Sequence, residues 1–112
     1  MDPIDEYMER FDGEKREWLH TFVGYMRKHH PEIPGRISYQ MPMFKFDGMY
    51  VAFSAASDHF TFHTLDFDMI EELKSLLPKA KFGKGSAKVP YDDRTAVVIL
   101  FSAIEKVIGR NR

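Results

Sequence analysis

The 112-residue chain contains no cysteine, which excludes disulfides, thiolate metal sites and thiol catalysis. Long apolar runs are also absent, and the longest, residues 96–101, is far too short to span a bilayer. The net charge is only −1, so the overall balance favours neither nucleic acid nor an anionic membrane as a partner. The first ten residues are acidic and polar, unlike a signal peptide. These features predict a cytoplasmic protein.

What the chain does contain is the composition of a globular protein, with 44% hydrophobic and 29% charged residues. Its length predicts one domain spanning residues 1–112. Ten phenylalanines indicate a core built largely on aromatic rings. The composition leaves open whether the protein is a monomer or a homodimer.

Helical periodicity and capping residues predict four helices. The first covers about residues 3–10, and the second carries apolar residues at helical spacing: Trp18, Leu19, Phe22, Val23 and Met26. A capping box of Asp68 and Glu71 predicts the start of the third, which Pro78 ends. The last covers about residues 94–108, between Asp93 as N-cap and Gly109 as terminator.

Between the second and third helices the apolar period changes from 3.6 to 2, which predicts strands over residues 36–40, 43–46, 49–56 and 59–65. Asp47-Gly48 is a strong signal for a type I′ hairpin turn. Ser57-Asp58 forms a second tight turn, and residues 86–89 suit a short further strand. The predicted fold is α+β, an antiparallel sheet of about five strands with helices packed on one face.

Two-residue turns set the register, so the residues of each sheet face can be assigned. One face is apolar and predicts the core: Phe44, Phe46, Met49, Val51, Phe53, Phe60 and Phe62. The other face is small and polar: Met43, Lys45, Tyr50, Ala52, Ser54, His59, Thr61 and His63. This second face is either an ordinary solvated surface or the lining of a shallow cleft.

Three segments in this order, ISYQMPMFKFDG, DHFTF and FGKGSAKVPYD, resemble the YdhG-like family of small bacterial domains. The residues that match the family pattern are Tyr39, Met41, Pro42, Lys45, Gly48, His59, Lys84, Gly85 and Ser86. Gln40 departs from that pattern, which usually has glycine before Met-Pro in the turn. The resemblance implies an α+β fold, and some members are described as frataxin-like intracellular iron chaperones.

Two groups of residues are candidates for binding a metal ion. His59 and His63 are four residues apart on a strand, about 13 Å, so they cannot share one ion. Acidic residues fall on one side of the first helix: Asp2, Asp5, Glu6 and Glu9. They form either a solvated face that favours the helix dipole or a weak site for a hard cation, with Asp5, Glu6 and Glu9 as the ligands of iron.

The segment Gly83–Ser86 is a candidate anion site, because exposed amides beside Lys84 could hold a negative group. A plain flexible turn is the alternative. The outer sheet face, this segment and the residues that match the family pattern together predict a ligand site. Its residues are Tyr39, Met41, Pro42, Lys45, Tyr50, His59, Lys84 and Ser86, of which Tyr39, Met41 and Pro42 are implied by the resemblance alone. Lys45, His59 and Lys84 would favour an anion if they surround one pocket.

No catalytic set is recognisable, since the chain has no Gly-x-Ser-x-Gly elbow and no carboxylate pair within the sheet pattern. A binding protein is therefore favoured over an enzyme. Three functions stay open: a frataxin-like iron carrier, implied by the resemblance, a small-molecule or anion-binding module, and a protein-interaction domain with an open sheet edge. No cofactor is identified beyond the iron that the resemblance implies.

Overall fold

A computed structural model describes residues 2–112, which form four helices and one six-stranded antiparallel sheet. The helices are α1 (Pro3–Met8), α2 (Gly13–His29), α3 (Phe67–Leu76) and α4 (Thr95–Asn111). The strands are β1 (Gly35–Ser38), β2 (Met41–Phe46), β3 (Met49–Ala55), β4 (His59–Thr64), β5 (Lys81–Phe82) and β6 (Ser86–Pro90). Their order across the sheet is β1-β2-β3-β4-β6-β5. The predicted α+β class is confirmed, and the two-residue β5 brings the number of strands to six.

The predicted register of the central strands is confirmed. Asp47 and Gly48 both adopt positive φ angles, 45° and 78°, as a type I′ turn requires. Phe46 consequently pairs with Met49 and Phe44 with Val51, while Phe53 pairs with Phe62 across the next turn. Because side chains alternate along a strand, all of these residues point to the same face.

The first hairpin turn differs from the prediction. Tyr39 and Gln40 form the turn, with φ angles of 50° and 62°, so Met41 and Pro42 belong to β2. Gln40 thus adopts the left-handed conformation that glycine would enter more easily. Backbone pairing on either side of the turn, from Gly35–Phe44 to Ser38–Met41, imposes this conformation on two residues with β-carbons.

The predicted aromatic core is confirmed for five of its seven residues, Phe44, Val51, Phe53, Phe60 and Phe62, which are buried beneath the helices. Phe46 and Met49 are half-buried and pack against this core. Helix α2 supplies Trp18 and Phe22 to it, and the Phe22 ring lies 4.7 Å from that of Phe60 and 5.4 Å from that of Phe53. Helix α4 adds buried Leu100, Ile104 and Ile108 on the same side. The helices therefore cover one sheet face. On the other face Met43, Ala52 and Thr61 are buried, and the residues around them are half-buried or exposed.

Three predicted helix boundaries are wrong: the end of α1, the start of α3 and the end of α4. Helix α1 ends at Met8 rather than near residue 10. Helix α3 begins at Phe67, because the Asp66 carboxylate, and not Asp68, accepts a hydrogen bond from the Met69 amide at 3.0 Å.

Helix α4 starts after Arg94 and continues through Gly109 to Asn111. The Asn111 side chain donates hydrogen bonds to the Val107 carbonyl and the Asp66 carboxylate, and these contacts extend the last turn. The side chain of Asp93 accepts a hydrogen bond from the Thr95 hydroxyl instead of capping the helix. None of the helices within residues 2–112 has the length and apolarity that a membrane crossing requires.

Candidate functional site

The solvent side of the sheet contains a cleft of about 610 Å³ at the end formed by β1, β2 and β3. This volume lies within the range of about 300–1,000 Å³ that is typical of small-molecule sites. The residues that line it are Arg36, Ser38, Tyr39, Met41, Met43, Lys45, Gly48, Tyr50 and Leu65. Four of them, Tyr39, Met41, Lys45 and Tyr50, are among the predicted ligand-binding residues.

Strand pairing positions the two cations of the cleft. Arg36 on β1 stands opposite Met43 on β2, and Lys45 on β2 stands opposite Tyr50 on β3. Opposite residues of antiparallel strands share a face, so these side chains project away from the phenylalanine core. Arg36 and Lys45 thus reach the same cleft from neighbouring strands.

Neither cation is neutralised by a carboxylate. Within residues 2–112 the arginine ion pairs involve Arg16, Arg27, Arg94, Arg110 and Arg112. The lysine ion pairs of the same residues involve Lys74 and Lys106. Arg36 and Lys45 therefore bring positive charge to the cleft, and neither forms an ion pair with a carboxylate of the described residues.

Aromatic and thioether groups form the rest of the cleft. The Tyr39 side chain projects from the strained β1–β2 turn and is 86% exposed, which is unusual for a large ring. Tyr50 and Met41 are half-buried, and Met43 is buried.

The remaining predicted ligand-binding residues lie elsewhere. Pro42 is buried and faces the core, because it pairs with Ile37 on the helix side of the sheet. His59 lines a separate depression with Lys79 and Lys81, and Ser86 lines a third. The Lys84 ammonium lies over the Phe67 ring at 4.9 Å. Lys45, His59 and Lys84 therefore do not surround one pocket.

The segment Gly83–Ser86 forms a tight β5–β6 hairpin loop. The Gly83 amide donates to the Ser86 carbonyl at 3.0 Å, so it is not free to bind an anion. The Gly85 carbonyl accepts from the Thr64 amide, and a β-carbon at Gly85 would come within 2.7 Å of the Thr64 carbonyl oxygen. The glycines thus serve the close approach of this loop to β4, which agrees with the turn interpretation.

The middle of the outer face has a hydrogen-bonded pair on β3 and β4. The Ser54 hydroxyl lies 2.9 Å from His63 Nε2. Burial, and secondly the charge of Lys88, lowers the pKa of His63 below its usual range. The ring is therefore neutral at neutral pH and holds Ser54 instead of adding a third charge to this face.

Three of the four acidic residues at α1 are engaged by neighbouring arginines, whereas Glu6 is exposed and forms no ion pair within residues 2–112. Asp2 caps the helix by accepting from the Ile4 amide, and Arg27 contacts Asp2 at 3.3 Å and Asp5 at 2.8 Å. Glu9 pairs with Arg16 at 3.1 Å. Within residues 2–112, no group of three or more histidine, aspartate or glutamate side chains is arranged to hold a metal ion.

The sequence interpretation missed Arg36, Ser38 and Leu65 as lining residues. The first two follow from the register of the β1–β2 hairpin, because Arg36 pairs with Met43 and Ser38 with Met41. Placing the turn at Tyr39-Gln40 would have found them. Leu65 follows β4 directly and carries no recognisable sequence signal.

No family model matches the chain, and no curated protein matches it. A solved structure is similar over most of the fold: a protein of the DUF1801 family, YdhG, from Bacillus subtilis, determined at 1.75 Å resolution. The TM-score is 0.78 at 19% sequence identity, and the match covers 92% of this chain and 86% of that chain. The two proteins therefore share a fold, in agreement with the YdhG-like resemblance.

Proposed function

We propose that this protein, a YdhG-like domain by its fold and its motif order, binds a small anionic molecule in the outer-face cleft. The observation that carries the proposal is the meeting of Arg36 and Lys45, neither of them paired with a carboxylate of the described chain, in one cleft of about 610 Å³. Unpaired cations in a concave site are available to an anionic group without first breaking an internal ion pair.

The lining suggests which class of anion would fit. Arginine presents a planar fork of donors that matches a carboxylate or phosphate, and lysine adds a point charge. Tyr39 and Tyr50 offer ring faces, while Met41 and Met43 offer a polarisable surface that adapts to a ligand's shape. A ligand with one acidic group and an aromatic or apolar body suits this combination better than a bare ion.

Two kinds of probe separate the contribution of the ligand's charge from that of its ring. Benzoate, phenylacetate and phenyl phosphate carry a ring and a charge, whereas acetate and inorganic phosphate carry the charge alone. A ligand that binds the native state raises its apparent stability, so thermal shift and calorimetry should detect the ring-bearing probes first. Lys45→Met and Arg36→Met should each weaken the best probe by about tenfold or more, as expected for a charge-assisted hydrogen bond of about 1.5–3 kcal/mol.

Two further variants make the test specific to the cleft. Tyr39→Asn removes the ring, and asparagine tolerates the positive φ angle at this position. Binding should therefore fall while the turn persists. Lys28→Met removes an exposed lysine of α2 that does not line the cleft, and it should leave binding unchanged. Equal affinity for ring-bearing and ring-free probes, or indifference to Arg36 and Lys45, would refute the proposal.

The two other functions predicted from the sequence are alternative outcomes of the same screen. An iron carrier would be stabilised by ferrous or ferric iron rather than by the anions. A protein-interaction domain would respond to neither, and its open edge would be β1, which has only β2 as a neighbour in the sheet.

A further inference from the structure

The net charge of this protein is near zero, but its acidic and basic residues are distributed unequally between the sheet and the rest of the chain. The six described strands contain no aspartate or glutamate, and the charged residues within them are Arg36, Lys45, Lys81 and Lys88. Strand pairing places all four on the outer face, since Lys81 pairs with Lys88 and Lys88 with Thr61. The acidic residues lie in helices and connecting segments. The outer face therefore carries positive charge at its two ends, on β1 and β2 and on β5 and β6, with no lysine or arginine on β3 and β4 between them.

A second concentration of positive charge lies at the far end of this face from the cleft. A depression of about 290 Å³ lies there, and the residues that line it are Asp58, His59, Lys79, Lys81, Lys88 and Pro90. A smaller depression of about 170 Å³ continues on the other side of Lys81 and Lys88 towards Gly83 and Ser86. We call the first of these the lysine depression.

The arrangement of the lysines is unfavourable without a partner. Lys81 and Lys88 stand directly opposite each other on neighbouring strands, and like charges in that position destabilise a sheet. Within the described chain the lysine ion pairs are Lys74–Glu71 and Lys106–Glu72, so Lys79, Lys81 and Lys88 have none. An anion between them would relieve the repulsion.

One carboxylate, Asp58, does line the lysine depression; its hydrogen-bond partner is His59, and the charge of Lys81 also lowers its pKa. Asp58 Oδ1 lies 2.7 Å from His59 Nδ1 and orients the ring. Three ammonium groups therefore face one carboxylate, which leaves an excess of two positive charges.

We propose that the lysine depression binds a small polyanion of the diphosphate class. Lysine is a common phosphate-binding residue that acts as a point charge, and an excess of two charges suits a ligand with at least two negative groups. The volume is just below that of typical drug-sized sites, which favours the diphosphate group itself as the bound unit. This site is independent of the outer-face cleft, because the two share no lining residue.

Inorganic pyrophosphate is the probe, titrated at low ionic strength and followed by amide chemical shifts and by calorimetry. Shifts should concentrate at residues 58–61 and 79–90. Lys81→Met and Lys88→Met should each weaken binding by about tenfold, and added salt should weaken it further because exposed charges are screened. A nucleoside diphosphate added in parallel distinguishes the free anion from a nucleotide: a matching affinity shows that the diphosphate group alone is recognised.

Two variants separate a binding role from a structural one. Asp58→Asn keeps an acceptor for His59 but removes the one negative charge, so it should tighten pyrophosphate binding several-fold. Lys81→Met should raise the melting temperature of the ligand-free protein, since it removes the cross-strand repulsion.

Lys28→Met, which removes an exposed lysine of α2 that lines neither the outer-face cleft nor the lysine depression, is the matched control and should leave pyrophosphate affinity unchanged. The proposal is wrong if pyrophosphate binds no more tightly than chloride. It is equally wrong if the shifts map to another surface, or if Asp58→Asn and Lys88→Met leave the affinity unaltered.

Discussion

Phe53 and Phe62 stand directly opposite each other on β3 and β4, with ring centroids 6.5 Å apart and both side chains fully buried. Phe53 also contacts the rings of Phe22, Phe44 and Phe60, at 5.4, 6.1 and 6.1 Å. Phe53 is thus the point at which the sheet and α2 meet. Its position follows from the Ser57-Asp58 turn, whose register places Phe53 on the helix side.

Phe53→Ala should therefore lower the free energy of unfolding by about 3–5 kcal/mol, the usual range for truncating a core phenylalanine. Urea denaturation measures the change, and the m-value should stay the same if the unfolded state is unaffected. Phe67→Ala is the control of the same residue type, because Phe67 is 39% exposed; it should cost about 1 kcal/mol or less. Similar losses at the two positions would contradict the core assignment.

The second prediction concerns the strained β1–β2 turn. Gln40→Gly should raise the free energy of unfolding by about 0.5–1 kcal/mol, since a left-handed residue with a β-carbon costs about 1–2 kcal/mol and glycine returns only part of this through its freedom in the unfolded chain. Gln40→Ala keeps the β-carbon and should stabilise nothing. If the alanine variant proves the more stable of the two, the positive φ at position 40 is not costly.

The third prediction tests the start of α3. Asp66→Ala should cost about 1–2 kcal/mol, because the Asp66 carboxylate caps the helix through the Met69 amide and also accepts a hydrogen bond from Asn111. Asp68→Ala is the comparison, since Asp68 is exposed and follows the cap by two residues. Thermal or urea unfolding of the two variants decides between the caps. A larger loss at Asp68 would restore the capping box predicted from the sequence.

The fourth prediction concerns the contact between α2 and α4. Burial first, and then the hydrogen bond to Glu105 and its charge, raises the pKa of Tyr25 to about 12. Burial alone would raise the pKa of Glu105, but hydrogen bonds from Tyr25 and His30 outweigh it and lower that pKa. The link should therefore stabilise the fold at neutral pH. Its contribution should fade as pH rises from 10 towards 12, and again in acid as pH falls below the usual glutamate pKa of about 4.3.

Tyrosine ring signals in NMR, followed through an alkaline titration, measure the first of these effects directly. Glu105→Gln should move the Tyr25 pKa back towards its usual value because the neighbouring negative charge is gone. Tyr25→Phe should narrow the difference in stability between neutral and acidic solution. A Tyr25 signal that titrates near 10 in the unaltered protein would show that the link does not form.

The fifth prediction concerns the acidic ridge, which consists of Asp5, Glu6 and Glu9 at α1, and the iron binding that the family resemblance implies. If the protein carries iron through Asp5, Glu6 and Glu9, replacing all three by Asn, Gln and Gln should abolish iron binding, measured by anaerobic calorimetry with ferrous ions. The variant should remain folded, because the exposed pairs Asp5–Arg27 and Glu9–Arg16 contribute only about 0–1 kcal/mol each. Undiminished binding would move the site away from the ridge. Absence of binding by the unaltered protein would remove the carrier role.

Residue pattern alone was sufficient for the β2–β3 and β3–β4 hairpins and for most of the core. Asp47-Gly48 and Ser57-Asp58 are short-range signals, and once a two-residue turn is placed the period of 2 assigns every neighbouring side chain to a face. Lys45 and Tyr50 were assigned to the outer face in this way, and the structure places both in the cleft. The β1–β2 turn was misplaced because turns are predicted from residues that favour positive φ, and neither Tyr39 nor Gln40 is a usual residue for such a turn. Because that turn was misplaced, Arg36 and Ser38 were not predicted to line the cleft.

Local chemistry thus specified the elements, the order of the central strands and the identity of the core, because turn residues and apolar periodicity act over a few positions. Long-range packing set everything that depends on contacts between distant segments. Helix α4 passes Gly109 because Asn111 reaches Asp66, 45 residues earlier. Lys84 likewise lies over the ring of Phe67, which belongs to α3. Such contacts depend on how separate elements pack together, and no spacing along the chain encodes their distance.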